Sequence, residues 1–286
     1  MNQHAYLVGL IAPAAEYPLS SELQRREAER HQLLYLCRHL RGERGFGALL
    51  DECRAFGFSG LSVATTVARP PADGLDGLSR SAARTGTVTT VVFGTDGRAV
   101  GHDAAMEAFT SAFGRSLPGA RLSRVVQVGA TGAGVSVAHA LAERGVEHLT
   151  LVDTDQARAS ALAAAVNRHA EGRPAEAGTV DALDHHLKQA DGLVNAPPSG
   201  GSSDRLTRTL VESLRSDLWI SDLDHRPDAA SLAKAARGLG CPTLQGGSLL
   251  VHAAARTFQL VTGRGAHTAH MLGDFADLMA EPAVHS

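Results

Sequence analysis

Lysine is almost missing from this 286-residue chain: among its 27 basic residues only Lys188 and Lys234 are lysines, and the rest are arginine. Chemistry that relies on a lysine ammonium has two residues to draw on. Cysteine is scarce as well. Cys37, Cys53 and Cys241 form neither an even disulfide framework nor a metal-ligand spacing, which fits a reducing cytoplasm. The formal net charge of −3 supplies no basic surface for a nucleic acid or an anionic membrane. No apolar run reaches membrane length, and the leading MNQHAY lacks the charged-then-apolar pattern of a secretory signal. The expectation is a cytoplasmic protein with a small-molecule substrate and neither a nucleic-acid nor a membrane partner, as monomer or homodimer. With 44% hydrophobic and 20% charged residues the composition is globular, and the length suits two domains.

What is present centres on Val126 to Asp153. An apolar run enters the turn Gly129-Ala130-Thr131-Gly132-Ala133-Gly134, a helical pattern follows to Gly145, and a second apolar run ends on Asp153. Strand, glycine turn, helix and strand in about thirty residues make the βαβ unit that binds a dinucleotide. Gly129 lets the chain turn off the strand, Gly134 lets the helix pack on the sheet, and the free N–H groups at the helix start suit a pyrophosphate. Asp153 stands where a carboxylate accepts the adenosine ribose hydroxyls, which favours NAD, with NADP as the second candidate. Thr131 takes the place of the usual second glycine.

Along the rest of the chain, residues 5 to 11 read as a buried strand and Ser21 to Arg41 as a helix. Gly45 to Phe56 reads as a helix, and Phe58 to Val63 and Thr87 to Phe93 as strands. Asp103 to Phe113 reads as a helix leading into the second domain. Strands at 124–128, 148–152, 192–195, 217–222 and 242–244 then alternate with helices at 132–144, 155–170, 204–214 and 228–238, the pattern of a doubly wound α/β sheet. Two helices close the chain, at 248–261 and 265–280.

Colinear motifs run through almost the whole length: VGLI…PLS at 8–20, GLSV at 60–63, TGTVTT at 85–90, GHD at 101–103, GATGAG at 129–134, VNAPPSG at 194–200, DLDHRP at 222–227, GGSLLVHAA at 246–254 and FQLVTG at 258–263. In this order the chain resembles the shikimate dehydrogenase family, including its quinate/shikimate branch. The resemblance implies an α/β fold with an N-terminal α/β substrate domain, a Rossmann-type dinucleotide-binding domain, and C-terminal helices returning to the first domain. The expected boundaries are 1–103 with 247–286, and 104–246. The substrate is expected in a cleft between the domains, under the nicotinamide. By the same resemblance Asn195, Ala196 and Pro197 flank the nicotinamide ribose and Gly246 joins the cofactor contacts, with Pro197 in place of the family's threonine.

Residue by residue, the resemblance departs at the substrate. The catalytic pair of the family is a lysine and an aspartate; the aspartate is Asp103, but the lysine of NVTxPxK falls on Ala68. In that motif the asparagine falls on Ser62, the threonine on Ala64 and the proline on Thr66. The asparagine of GAVNT falls on Thr89, the first serine of the SxS pair on Pro18 and its second on Ser20. The tyrosine of DxxYxP falls on His225, and the glutamine of the C-terminal QA pair on Ala253. A site built to bind hydroxyls discriminates by about four orders of magnitude through such bonds. Losing most of them points away from shikimate as substrate.

The candidates that remain each carry a plainer reading. His225 either donates a proton at the site or is a loop histidine, and His252 either faces the substrate or is a packed helix histidine. Asp103 is a site carboxylate or a helix cap. Arg69 anchors an acidic substrate or is solvated. Ser20, Ser62, Thr65, Thr66 and Thr89 bind a hydroxyl or carboxylate, or satisfy loop backbone. His185-His186 and His267/His270 have no cysteine or carboxylate at ligand spacing, so no metal is expected. The expectation is an NAD(P)-dependent oxidoreductase of shikimate-dehydrogenase type with an altered substrate, a small alcohol or carbonyl compound, set in a biosynthetic pathway. Asp103 with His225 or His252 would manage the proton. The rivals are the same fold turned to non-redox elimination or isomerisation, and a non-catalytic cofactor- or ligand-binding protein.

Overall fold

The apolar run AYLVGLI forms β1 (Ala5–Ile11) in the computed structural model, which describes residues 5–12, 17–40, 45–64, 74–197, 204–224 and 231–280. After α1 (Tyr17–Arg30) the chain does not continue as the helix predicted to Arg41. Gln32 takes a positive φ of 56°, and residues 34 to 39 return as β2 (Leu34–His39), parallel to β1. The cause is tertiary. Tyr35 is buried against Val8 and Phe258 while its neighbours Leu34 and Leu36 stay exposed, a two-residue period that pairing with β1 satisfies.

Helix α2 (Phe46–Ala55) leads to β3 (Gly60–Val63), parallel to β1 on its other side. The short β4 (Gly77–Leu78) precedes α3 (Arg80–Thr85), whose N-cap Ser79 accepts a hydrogen bond from the Ala82 N–H at 3.2 Å. Next come β5 (Thr90–Phe93), β6 (Ala99–His102) and α4 (Ala104–Ser116). The sheet order is β2-β1-β3-β5-β6-β4, with β5 antiparallel to both β3 and β6.

The second sheet is wholly parallel. Its elements are β7 (Arg124–Val128), α5 (Ala133–Glu143), β8 (His148–Val152), α6 (Gln156–Asn167), β9 (Ala175–Gly178), α7 (Leu183–Gln189), β10 (Gly192–Asn195), α8 (Asp204–Glu212), β11 (Trp219–Asp222), α9 (Ser231–Gly238) and β12 (Thr243–Gln245). The strand order β12-β11-β10-β7-β8-β9 places the reversal of winding between β7 and β10, the Rossmann arrangement. The sequence gives no sign of β9 or α7. Asn167 secures β9, its amide bonding the Ala175 carbonyl at 2.7 Å and N–H at 3.0 Å.

The chain ends in α10 (Gly246–Thr262) and α11 (Thr268–Ala280). Phe258 and Val261 of α10 pack on Val8 and Tyr35, and Val251, Ala254 and Ala255 meet Leu23 of α1 and Met271 of α11. The chain divides into two compact units, residues 1–104 with 250–286 and residues 105–249. Among the described residues no helix is long and apolar enough to cross a membrane.

One close approach fixes the register of β10 on β11. Gly192 pairs with Trp219, and a Cβ on Gly192 would lie 1.9 Å from the indole ring. The ring is held edge-on to Phe113, and its Nε1–H donates to the Arg121 carbonyl at 2.8 Å. Gly192→Ala is therefore expected to cost about 1–3 kcal/mol or more, seen as a lower urea midpoint. Gly119→Ala, with open space around it, should stay within about 0.5 kcal/mol of the wild type.

Candidate functional site

At the carboxyl end of β7 the chain must turn at once into α5, and glycine makes that possible. Gly129 has a φ of 101° and Gly132 a φ of 54°. A Cβ on Gly129 would lie 1.8 Å from the carbonyl oxygen of Ala196, the residue that follows β10. The turn after β7 and the segment after β10 thus touch backbone to backbone at the switch point of the sheet, where α/β proteins bind ligands. Gly134 fits against the Gly129 carbonyl, 2.6 Å from where its Cβ would be. No side chain caps α5; the Gly134 and Val135 N–H groups turn back to the Thr131 and Gly132 carbonyls at 3.0 and 3.2 Å, which leaves the Ala133 N–H as the donor at the helix start.

Two side chains hold this turn. Gln127 sits wholly buried in the apolar strand β7, and its Nε2 donates to the carbonyls of Gly129 (2.9 Å) and Gly134 (2.8 Å). Sequence reasoning passed over it, although an amide inside VVQV next to a glycine turn is a signal of such a staple. The second is Asp153 at the end of β8. Its Oδ2 accepts from the Ala130 N–H at 2.8 Å and its Oδ1 from the Asp155 N–H at 2.9 Å. The carboxylate expected to bind ribose is thus 92% buried and already holds the loop; Oδ1 also receives the Thr154 hydroxyl at 3.5 Å, which leaves a lone pair on Oδ2 for a ligand. Asp155, also acidic, caps α6 through the Ala157 N–H and pairs with Arg158.

Asn195 closes the β10 end. Its Nδ2 donates to Asp222 Oδ1 at 2.9 Å across the paired ends of β10 and β11, while its Oδ1, buried, has no partner among the described residues. Burial pushes the Asp222 carboxyl up to about 6, against the pull of the hydrogen bonds from Asn195 and the Asp224 N–H. Asp222 is a second residue that sequence reasoning did not single out. Gly246, where α10 begins, approaches the carbonyls of Leu223 and Asp224 so closely that a Cβ would lie 2.6 and 2.8 Å from them. Gly129, Ala130, Gly134, Asp153, Asn195, Ala196 and Gly246 are therefore brought to the carboxyl ends of β7, β8, β10, β11 and β12. Thr131, Ala133 and Pro197 adjoin them in the chain.

In the other unit, Ser62 near the end of β3 pairs with Thr90 at the start of β5, and Thr89 receives the Val63 N–H at 2.8 Å on its carbonyl. The Thr89 hydroxyl, expected at the substrate, accepts the Ala104 N–H at 2.8 Å and so supports the start of α4. Asp103, fully buried, immediately precedes that helix. Ser62, Thr89 and Asp103 thus lie at the same end of the adjacent strands β3, β5 and β6. Thr90 bonds Thr257 of α10 at 2.8 Å, and His252, buried, lies five residues earlier on the same helix. Ser20 on α1 receives the Gln24 amide at 3.2 Å, so its hydroxyl is partly occupied. Thr65, Thr66, Arg69, His225 and the Ala68 position lie outside the described residues. Both lysines belong to the second unit: Lys188 on α7, paired with Asp184 at 2.6 Å, and Lys234 on α9.

No protein-family model matches the chain. It is 42% identical over 290 residues to a shikimate dehydrogenase (NADP(+)) of Streptomyces avermitilis, covering 99% of each chain. It is 37% identical over 287 residues to a quinate/shikimate dehydrogenase (NAD(+)) of Corynebacterium efficiens, covering 97% of this chain and 100% of the relative. Among solved structures, the quinate dehydrogenase from Corynebacterium glutamicum in complex with NAD superposes with a TM-score of 0.88 at 30% identity, covering 96% of this chain and 100% of that one.

The Asn195–Asp222 pair yields a pH test. Because the folded carboxyl titrates above its unfolded value, its contribution favours the folded state below pH about 4 and is lost as the pH rises through about 6. Asn195→Ala deletes a hydrogen bond that favours the charged form, so Asp222 should titrate still higher. Carbon-13 NMR of labelled aspartate reads both values, and an identical titration in the two proteins would refute the coupling.

Proposed function

Because this chain belongs to the shikimate dehydrogenase family, we propose that it is an oxidoreductase of that type whose substrate is a small cyclic or acidic alcohol or carbonyl compound other than shikimate, with NAD preferred to NADP. The observation that carries the redox half is the turn at the switch point. Positive φ at Gly129 and Gly132, the close fit of Gly134 and the orphaned buried Asn195 Oδ1 suit a dinucleotide. The N–H groups of Gly132 and Ala133 would meet the pyrophosphate, and Asp153 the adenosine ribose. Two carboxylates at the β8 end, Asp153 and Asp155, oppose a 2′-phosphate, with Arg158 already paired. When bound, the nicotinamide supplies or accepts the hydride.

The altered substrate rests on the residues themselves. The unit that carries Asp103 contains no lysine, the family's lysine position being Ala68, and the Thr89 hydroxyl gives one lone pair to the start of α4. Asp103 is the acid–base group of that unit, with His225 or His252 as its partner. Shikimate or quinate remains the second reading, favoured by 42% identity across 99% of the chain. A cytoplasmic biosynthetic setting goes with either.

Calorimetric titration should give at least tenfold tighter binding of NADH than of NADPH, and Gly129→Ala should abolish both. Assays at 340 nm should find no shikimate or quinate turnover approaching the roughly 10 s⁻¹ usual for enzymes. A cyclic alcohol or keto acid should be accepted instead, and Asp103→Asn should slow its turnover by about 10²–10⁴-fold. Turnover of shikimate at an ordinary rate would overturn the altered substrate and leave the family assignment standing.

A further inference from the structure

We propose that Glu27, His31 and His267 form a binding site for one divalent transition-metal ion of the zinc class. Glu27 lies in the last turn of α1 and His31 directly follows that helix, its backbone N–H still bonded to the Glu27 carbonyl at 3.3 Å, so the two side chains keep the four-residue spacing of one helix face. His267 comes from 240 residues further on, immediately before α11, within the same compact unit. The Glu27 side chain is fully buried and turns Oε1 toward both imidazoles, 2.9 Å from His267 Nδ1 and 3.2 Å from His31 Nε2. The two rings stack with centroids 5.2 Å apart, and all three ligand atoms lie within 4.8 Å of one another. Ligands bound at zinc distances in a tetrahedron are about 3.3 Å apart, so one ion fits among these atoms after small adjustments.

The surroundings supply what a ligating carboxylate needs. Glu27 Oε2 is held by Arg30 at 3.1 Å, and Oε1 receives the His267 backbone N–H at 2.6 Å, which fixes the carboxylate from behind. Arg30 in turn is held by the buried Asp274 of α11 at 2.7 Å, which moderates its charge beside the ion. Exposure grades outward across the three ligands, from none at Glu27 through 21% at His31 to 57% at His267. The fourth coordination position thus faces solvent and takes a water. The ion sits between Glu27 Oε1 and the two ring nitrogens, each neutral imidazole binding through its unprotonated nitrogen and keeping its proton on the other, and it ties the end of α1 to the start of α11. Two imidazoles and a carboxylate choose zinc, cobalt or nickel over magnesium.

The test uses the full-length protein, stripped with EDTA and dialysed against ZnCl₂ or MgCl₂. Metal analysis should find one equivalent of zinc and no magnesium, with a melting temperature raised by about 5 °C at a zinc concentration a hundredfold above Kd. His267→Ala, which truncates an exposed side chain, should weaken zinc binding at least tenfold without lowering the melting temperature of the metal-free protein appreciably. Glu27→Gln should weaken it as well, and the double variant His185→Ala/His186→Ala should bind as the wild type does. No stoichiometric zinc, or zinc binding that survives His267→Ala, would overturn the site. None of these readouts depends on turnover.

Discussion

The contact between the Gly129 backbone and the Ala196 carbonyl is the constraint on which the nucleotide-binding unit depends. Two neighbouring parallel strands, β7 and β10, send their chains in opposite directions, and the segments that leave them must nevertheless touch. A single methyl group at residue 129 would occupy the space of the carbonyl. Once that approach is fixed, the path into α5 follows, and with it the direction in which the first N–H groups of the helix point.

Hydrogen bonds then make the turn rigid from both sides. Gln127 grips two of its carbonyls from beneath, and Asp153 grips an N–H from the neighbouring strand. On the far side, Asn195 is oriented by Asp222, a carboxyl whose burial is tolerated because the Asn195 amide and the Asp224 N–H both donate to it. The polar groups in this region are thus mostly loop-holders first. A ligand meets the lone pairs and donors left over.

Much of this was readable in the chain, because the βαβ signal is local: an apolar run, glycines at fixed offsets and a terminal acid lie within about thirty residues of one another. Other features were not local. Leu34 to His39 reads as a continuation of a helix until β1 is alongside it, and β9, written Ala-Glu-Ala-Gly, has no β-branched residue and leans on Asn167 for its hydrogen bonds. The expectation that the histidines lack a carboxylate partner came from sequence spacing, which cannot register that Glu27 meets His267 across 240 positions. Thr89 illustrates a different limit: its identity invites a substrate role, and only the position of the Ala104 N–H reveals that its hydroxyl also supports the start of a helix.

The aromatic inventory has a practical corollary. The lone tryptophan, Trp219, is buried against Phe113 in the nucleotide-binding unit, whereas all three tyrosines, Tyr6, Tyr17 and Tyr35, belong to the other. Indole emission therefore monitors one half of the molecule and phenol absorbance the other. The two halves carry separate built-in optical reporters, so a single unlabelled sample can reveal whether they melt together or in turn.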